Sequence, residues 1–165
     1  MQTQFKTFWI RDWQPRDRDI AADLIAQVLQ EYGLVTCGLA AETGGADWDV
    51  LNVEAAYWQT GGEFWVIEQE SQVVGTAGYY PVHRGKNAVE IRKMYLLPAA
   101  RRQGLGRYLL NCLETAIAAK GFTQVWLETA SVLKEAVQLY ESSGYLPISE
   151  VETSRCDRAY MKSLA

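Results

Sequence analysis

The stretch "VEIRKMYLLPAARRQGLGRYLL", residues 89–110, constrains the fold more than any other part of the chain. It opens with β-forming residues and breaks at Pro98, which cannot continue a strand ladder. After Gly104 and Gly106 it becomes a run in which Leu105, Leu109, Cys112, Leu113, Ala116 and Ile117 recur at helical spacing. A strand that turns within a few residues into an amphipathic helix is the building unit of a sheet with helices packed on it.

The other segments fit that plan. Residues 6–12 read as a first strand, and 17–33 as a helix with Ile20, Leu24, Ile25, Val28 and Leu29 on one face and Gly33 at its stop. Residues 34–48 are rich in Gly, Ala and Thr and read as a loop; 48–58 read as a second helix. Three β-rich segments follow at 63–69, 72–82 and 88–97, the first two close enough for an antiparallel hairpin. A helix from Gly104 to about Gly121, a strand at 123–129, a helix at 132–144 and strands at 145–151 and 158–164 complete the order β-α-α-β-β-β-α-β-α-β-β. The expectation is an α/β (α+β) chain forming a single domain over 1–165, with a mixed, mostly antiparallel central sheet of about seven strands flanked by about four helices.

No apolar run approaches the ~20 residues that span a bilayer, and "MQTQFKTFWIRDW" lacks the basic-then-apolar plan of a signal peptide. The expectation is a cytoplasmic protein with no membrane partner. Cys37, Cys112 and Cys156 are scattered and odd in number, so neither a disulfide framework nor a C-x-x-C site is expected. His83 is the sole histidine, beside Pro81 and Arg84, and reads as solvent-facing. A His-based metal site and a Ser-His-Asp triad therefore have little to be built from, and no metal is expected.

The net charge of −4 is unevenly spread: residues 1–70 carry −8, residues 71–110 carry +6, and the remainder −2. An acidic chain is a poor general nucleic-acid binder. A basic middle within it suits one compact polyanion. At the head of a helix the first N–H groups have no intrahelical acceptor, and the macrodipole adds partial positive charge. Gly104 and Gly106 let an anion approach the backbone, and Arg101, Arg102 and Arg107 surround it with full charges. Neither nucleotide-binding motif fits: a G-x-G-x-x-G fingerprint would need glycine where Leu109 stands, and no Gly-Lys-Ser/Thr is present.

The segment Arg101–Gly106 does match the R/Q-x-x-G-x-G/A signature of the GNAT superfamily of acetyl-CoA-dependent N-acetyltransferases. "MYLLP" before it, "VWLET" after its helix, and "AVQLYESSGY", similar to the family's A-x-x-L-Y-x-x-x-G-F/Y segment, agree with the resemblance, which covers about residues 72–146. It implies a GNAT-like domain with an acceptor-side region at 1–62, an acetyl-CoA-binding core at 63–146 and C-terminal strands at 147–165.

The resemblance also implies roles. The cofactor pyrophosphate would lie on Arg101, Arg102, Gln103, Gly104, Leu105, Gly106 and Arg107, and the pantetheine arm along the backbone of Met94, Tyr95 and Leu96. An N–H near Leu96 would polarise the thioester carbonyl. Tyr140 matches the tyrosine that protonates the leaving thiolate, although Leu133, Ala136, Val137 and Tyr140 share a helical face, so packing alone also accounts for it. Glu90 stands 14 residues before Gly104, where some members carry a catalytic glutamate. As a strand neighbour on the same side, Arg92 would lower its pKa and weaken it as a base. Glu128 is a second choice. Leu133 departs from the family, whose asparagine there contacts the cofactor arm; Ser131 or Thr129 are possible substitutes.

The leading expectation is an N-acetyltransferase that moves an acetyl group from acetyl-CoA to a primary amine by direct attack in a ternary complex. The alternative is a non-catalytic acyl-CoA-binding sensor or subunit. For the acceptor, a small-molecule amine, a peptide N-terminus and a protein lysine all remain open. Acidic groups with Tyr32, Trp48, Trp58 and Trp65 at a mouth would suit a cation, whereas the plainer reading puts Trp58 and Trp65 in the core. Dimers are frequent in the family, so a homodimer is a further possibility.

Overall fold

The structure is a computed structural model that describes residues 2–34 and 47–164; Cys37 and most of the loop expected over 34–48 lie outside the described residues. Eight strands form one sheet: β1 (Gln2–Phe5), β2 (Phe8–Asp12), β3 (Glu63–Gln69), β4 (Gln72–Val82), β5 (Ala88–Leu96), β6 (Gln124–Thr129), β7 (Leu146–Ile148) and β8 (Arg158–Ser163), in the order β1-β2-β3-β4-β5-β6-β8-β7. Every neighbouring pair is antiparallel except β5–β6, the pair joined through a crossover helix. The helices are α1 (Arg18–Glu31), α2 (Trp48–Leu51), α3 (Leu105–Ala119) and α4 (Lys134–Ser142).

β3 shows why the sheet sits at the centre. Its alternate residues Trp65 and Ile67 point into one core with Phe8, Ile10, Tyr79 and the α3 residues Leu105, Leu109, Leu110, Leu113 and Ile117. Phe64 and Val66 point into the other, with Trp13, Tyr57 and the α1 residues Ala21, Ile25 and Val28. A strand covered on both faces needs an unbroken apolar run, and "FWVI" supplies it.

The sheet therefore has eight strands rather than about seven. The addition is β1, a polar edge strand "QTQF" paired with β2 through a turn that holds Lys6 at φ 52°. The strand expected over 6–12 is β2, which begins at Phe8, and Lys6 belongs to the turn. The helix expected over 48–58 is broken: the Asn52 amide donates to the Trp48 carbonyl (2.9 Å), competing with the backbone for it, and a π-helical turn over Glu54–Trp58 follows α2. Trp65 is core, as the plainer reading has it, while Trp58 is 42% exposed and edge-on to Trp13. His83 faces solvent. Among the described residues Cys112 and Cys156 are free, no cluster suits a metal ion, and no helix is long and apolar enough to cross a membrane.

Candidate active site

The parallel pairing of β5 with β6 ends at Ile91↔Leu127. Beyond it β5 stays paired with β4 as far as Leu96, while Glu128 and Thr129 pair only with β8. A bulge bends β5 at this point: the register against β4 shifts between Thr76 and Gly78, and Lys93 takes the left-handed φ of 54°. The buried Thr76 hydroxyl donates to the Lys93 carbonyl at 2.7 Å and holds the bulge. A cavity of about 320 Å³ fills the split, walled by Ile91–Leu96, Glu128–Ala130, the inner face of α4 and the end of α1.

One end of the cavity is the loop before α3. Arg102 has φ 59° and Gly104 φ 84°, so the chain twice enters the left-handed region, the geometry that turns successive N–H groups toward one point. Among the described residues, none of the six consecutive N–H groups from Arg102 to Arg107 has a backbone acceptor, and no side chain caps α3. Arg102, Gly104, Gly106 and Arg107 line the cavity. Leu105 puts its side chain in the core, leaving only its backbone to a ligand.

The other residues expected to hold the pyrophosphate divide. Arg101 lines the cavity, but its guanidinium is held by Glu31 through paired bonds of 2.7 and 2.8 Å, by Tyr32, and by the Leu96 carbonyl at 2.8 Å, so it braces the loop against α1. Gln103 lies outside the cavity wall; its amide donates to the Ala99 carbonyl, and its own carbonyl accepts from the Lys6 ammonium at 2.7 Å. Arg102 is largely exposed and pairs with Glu135, while Arg107 reaches Ser142 and Ser143. Lys6, from the edge hairpin, is a support that sequence reasoning missed.

Met94, Tyr95 and Leu96 line the middle of the cavity, as does Tyr140 from α4. Thr76 takes the Lys93 carbonyl and Arg101 that of Leu96, while Tyr95 stands opposite Thr76 in the β4–β5 ladder. Tyr140 is 6% exposed, and among the described residues its hydroxyl has one hydrogen-bond contact, the Met94 sulfur at 4.0 Å. Burial holds its pKa well above the ordinary tyrosine value. Leu133 and Thr129 line the wall; Ser131 does not, because Asp157 takes both its hydroxyl and its N–H.

The inner end is ionic and was invisible in the sequence. Lys93, 2% exposed at its side chain, pairs with Asp47 at 2.7 Å and Asp49 at 3.5 Å. Arg155, on the loop before β8, grips the same Asp47 through both terminal nitrogens. Burial alone would raise the Asp47 carboxyl, but Arg155 and Lys93 hold it well below the usual carboxylate range. Arg92 lies 3.7 Å from both Asp49 and Glu90.

Glu90 is buried beside Arg84 (3.3 Å) and does not itself line the cavity. Burial raises its pKa, outweighing the lowering by Arg92 and Arg84, so the net direction is opposite to that expected from the Arg92 neighbour alone. Glu128 does line the cavity, but its oxygens accept the Glu152 and Thr153 amides at 2.7 and 2.8 Å. Although burial would raise its pKa, those bonds and the Thr153 side chain keep the carboxyl below its ordinary value. It therefore anchors the loop that carries Arg155. Burial also pushes the Cys156 thiol up to about 11, so it stays protonated near neutrality.

A model of the acetyltransferase (GNAT) family matches residues 16–145. The uncharacterized N-acetyltransferase YjgM of Escherichia coli K12 is 37% identical over 133 residues, 79% of this chain and 77% of that protein. Among solved structures, a GNAT-family acetyltransferase of Staphylococcus aureus Mu50 superposes with a TM-score of 0.84 at 19% identity, over 96% of this chain and 99% of that one. The yncA protein of Salmonella typhimurium, solved with its cofactor acetyl-CoA, superposes with a TM-score of 0.72 at 19% identity, over 97% and 95%. With the family's pattern running through most of its length, the chain belongs to the GNAT acetyltransferase family, the acetyl-CoA-dependent N-acyltransferases.

Proposed function

We propose that the protein transfers the acetyl group of acetyl-CoA to a primary amine by direct attack within a ternary complex. The observation that carries this reading is the row of N–H groups without backbone acceptors, Arg102–Arg107, opening on a cavity at the end of a split sheet. Such a row binds a pyrophosphate, with Arg102 and Arg107 adding charge. The pantetheine arm then runs into the split and pairs with the main chain of Met94 and Tyr95. A neighbouring N–H polarises the thioester carbonyl.

The neutral amine nitrogen attacks the carbonyl carbon, and the carbon–sulfur bond breaks. The leaving thiolate takes a proton from Tyr140, whose raised pKa keeps the phenol protonated in the working range, and the proton that the acylated nitrogen sheds on becoming an amide returns through solvent to the phenolate. The proton of the incoming ammonium goes to Glu90; because that carboxylate lies behind the cavity wall, transfer runs through solvent between them. The raised pKa of Glu90 brings it closer to that of a useful base. Cys156, held as a thiol, forms no acyl intermediate.

Calorimetry with acetyl-CoA tests the cradle, and release of CoA thiol over a panel of amines and peptides tests turnover. Saturable binding followed by amine-dependent thiol release is expected. Absence of acetyl-CoA binding would overturn the reading.

A further inference from the structure

The cavity is charged at both ends, and the cofactor accounts for only one of them. Arg92 lies four residues before Leu96 on β5, roughly 13 Å at strand rise. Met94 and Tyr140 stand between this inner end and the phosphate loop. Arg92, Lys93 and Arg155 all line the inner wall, whereas their counter-ions Asp47, Asp49 and Glu90 do not. Among the described residues lining this end, Glu128 is the one carboxylate, and its oxygens are occupied by the 152 and 153 amides. Among the described residues, the cations turned to the cavity at this end are therefore the Arg92 and Arg155 guanidiniums, with Asp47, Asp49 and Glu90 set behind them.

A simple alkylammonium brings only positive charge to such a wall. From this placement we infer that the acceptor carries a carboxylate, captured by Arg155 with Arg92, so that the substrate is an amino acid or a close relative of one. The inference rests on the acetyl-transfer reading above and names its second substrate. Arg155 suits the role because Asp47 engages one N–H on each terminal nitrogen, which fixes the fork and leaves its other donors for a ligand. Its loop is set by Glu128, and Arg84 joins that carboxylate to Glu90, so the anion site and the base share one frame.

The test compares amino acids with their amides, their decarboxylated amines and their deaminated acids, using wild-type protein saturated with acetyl-CoA. Amino acids should be acetylated with kcat/KM at least about tenfold above the matched amides and amines, the effect expected of a charge-assisted bond. Deaminated acids should bind the acetyl-CoA complex in calorimetry and inhibit competitively. Arg155→Gln should lower kcat/KM for amino acids at least about tenfold more than for the matched amide and amine, so that the preference collapses, and Arg155→Lys should restore part of it. Equal or better use of uncharged acceptors, no binding of deaminated acids, or an equal loss for all acceptors in a folded Arg155→Gln protein would each overturn the inference. If Arg155→Gln fails to fold, the wild-type arms decide. Failure of acetyl-CoA itself to bind would instead sink the underlying reading.

Discussion

Tyr140→Phe deletes one oxygen atom, and that oxygen has different consequences for folding and for catalysis. In the folded chain the phenol is 6% exposed, and its sole hydrogen-bond contact among the described residues is the Met94 sulfur at 4.0 Å. A buried hydroxyl without a good partner costs ~1–3 kcal/mol, less whatever water in the cavity restores. Its removal should leave the melting temperature unchanged or raise it by a few degrees. Tyr160→Phe serves as the opposite control, because that hydroxyl donates to Glu141 at 2.8 Å and its loss should cost on the order of 1 kcal/mol.

Turnover should behave differently. Loss of a positioned general acid lowers rate by roughly 10²–10⁴-fold, or about 2.7–5.4 kcal/mol of barrier. Acetyl-CoA affinity should hardly move, because the phosphate cradle lies on another element. Three measurements separate the roles: thermal melting, acetyl-CoA binding by calorimetry, and CoA thiol release under saturating acceptor. Unchanged turnover in Tyr140→Phe would remove the residue from the chemistry. A rate loss that merely follows a drop in melting temperature or affinity would reduce it to a packing residue.

The ionic end gives a stability prediction: Asp47→Asn leaves Lys93 and Arg155 without their shared partner and should cost ~3–5 kcal/mol, or roughly 6–20 °C of melting temperature. Because the folded Asp47 pKa is depressed, its contribution is present above the ordinary value of 3.8 and lost as pH falls toward the folded value. The gap between wild type and variant should therefore narrow in melts below that pH. Gly104→Ala forces a side chain into φ 84° and should cost ~1–2 kcal/mol and weaken acetyl-CoA binding. Gly106→Ala, whose added Cβ meets only Leu139 at an ordinary 3.5 Å among the described residues, should fold unimpaired; equal melting of the two variants would refute the role given to the left-handed turn. Glu90→Gln should remove the acidic limb from the pH profile of kcat/KM, a limb that burial places above the ordinary carboxylate range. An unchanged profile would assign that limb to another group.

What was legible in the sequence was local or carried by family resemblance. Helical spacing from Leu105 to Ile117 finds α3, β-forming runs bounded by turn residues find β3 and β4, and the glycine-arginine turn finds the loop that opens α3, because each needs only neighbours along the chain. β1 escaped since "QTQF" is polar and becomes a strand only by pairing with β2 at the edge of the sheet. Arg101 illustrates a deeper limit. Its motif gives it a charge near a phosphate site, but Glu31, 70 residues away, decides how the guanidinium is used. The same holds for Asp47, Lys93 and Arg155, which the fold brings together from three distant segments. Lys93 is the instructive case: an arginine-lysine pair in an apolar strand looks like two solvent-facing charges. The bulge opposite Thr76 instead directs Lys93 into a buried pair. A bulge inserts one residue and so changes which side each later side chain takes, which period-two reasoning along β5 cannot anticipate. The inner wall of the cavity, and with it the acceptor recognition proposed above, rests on that tertiary register rather than on any motif.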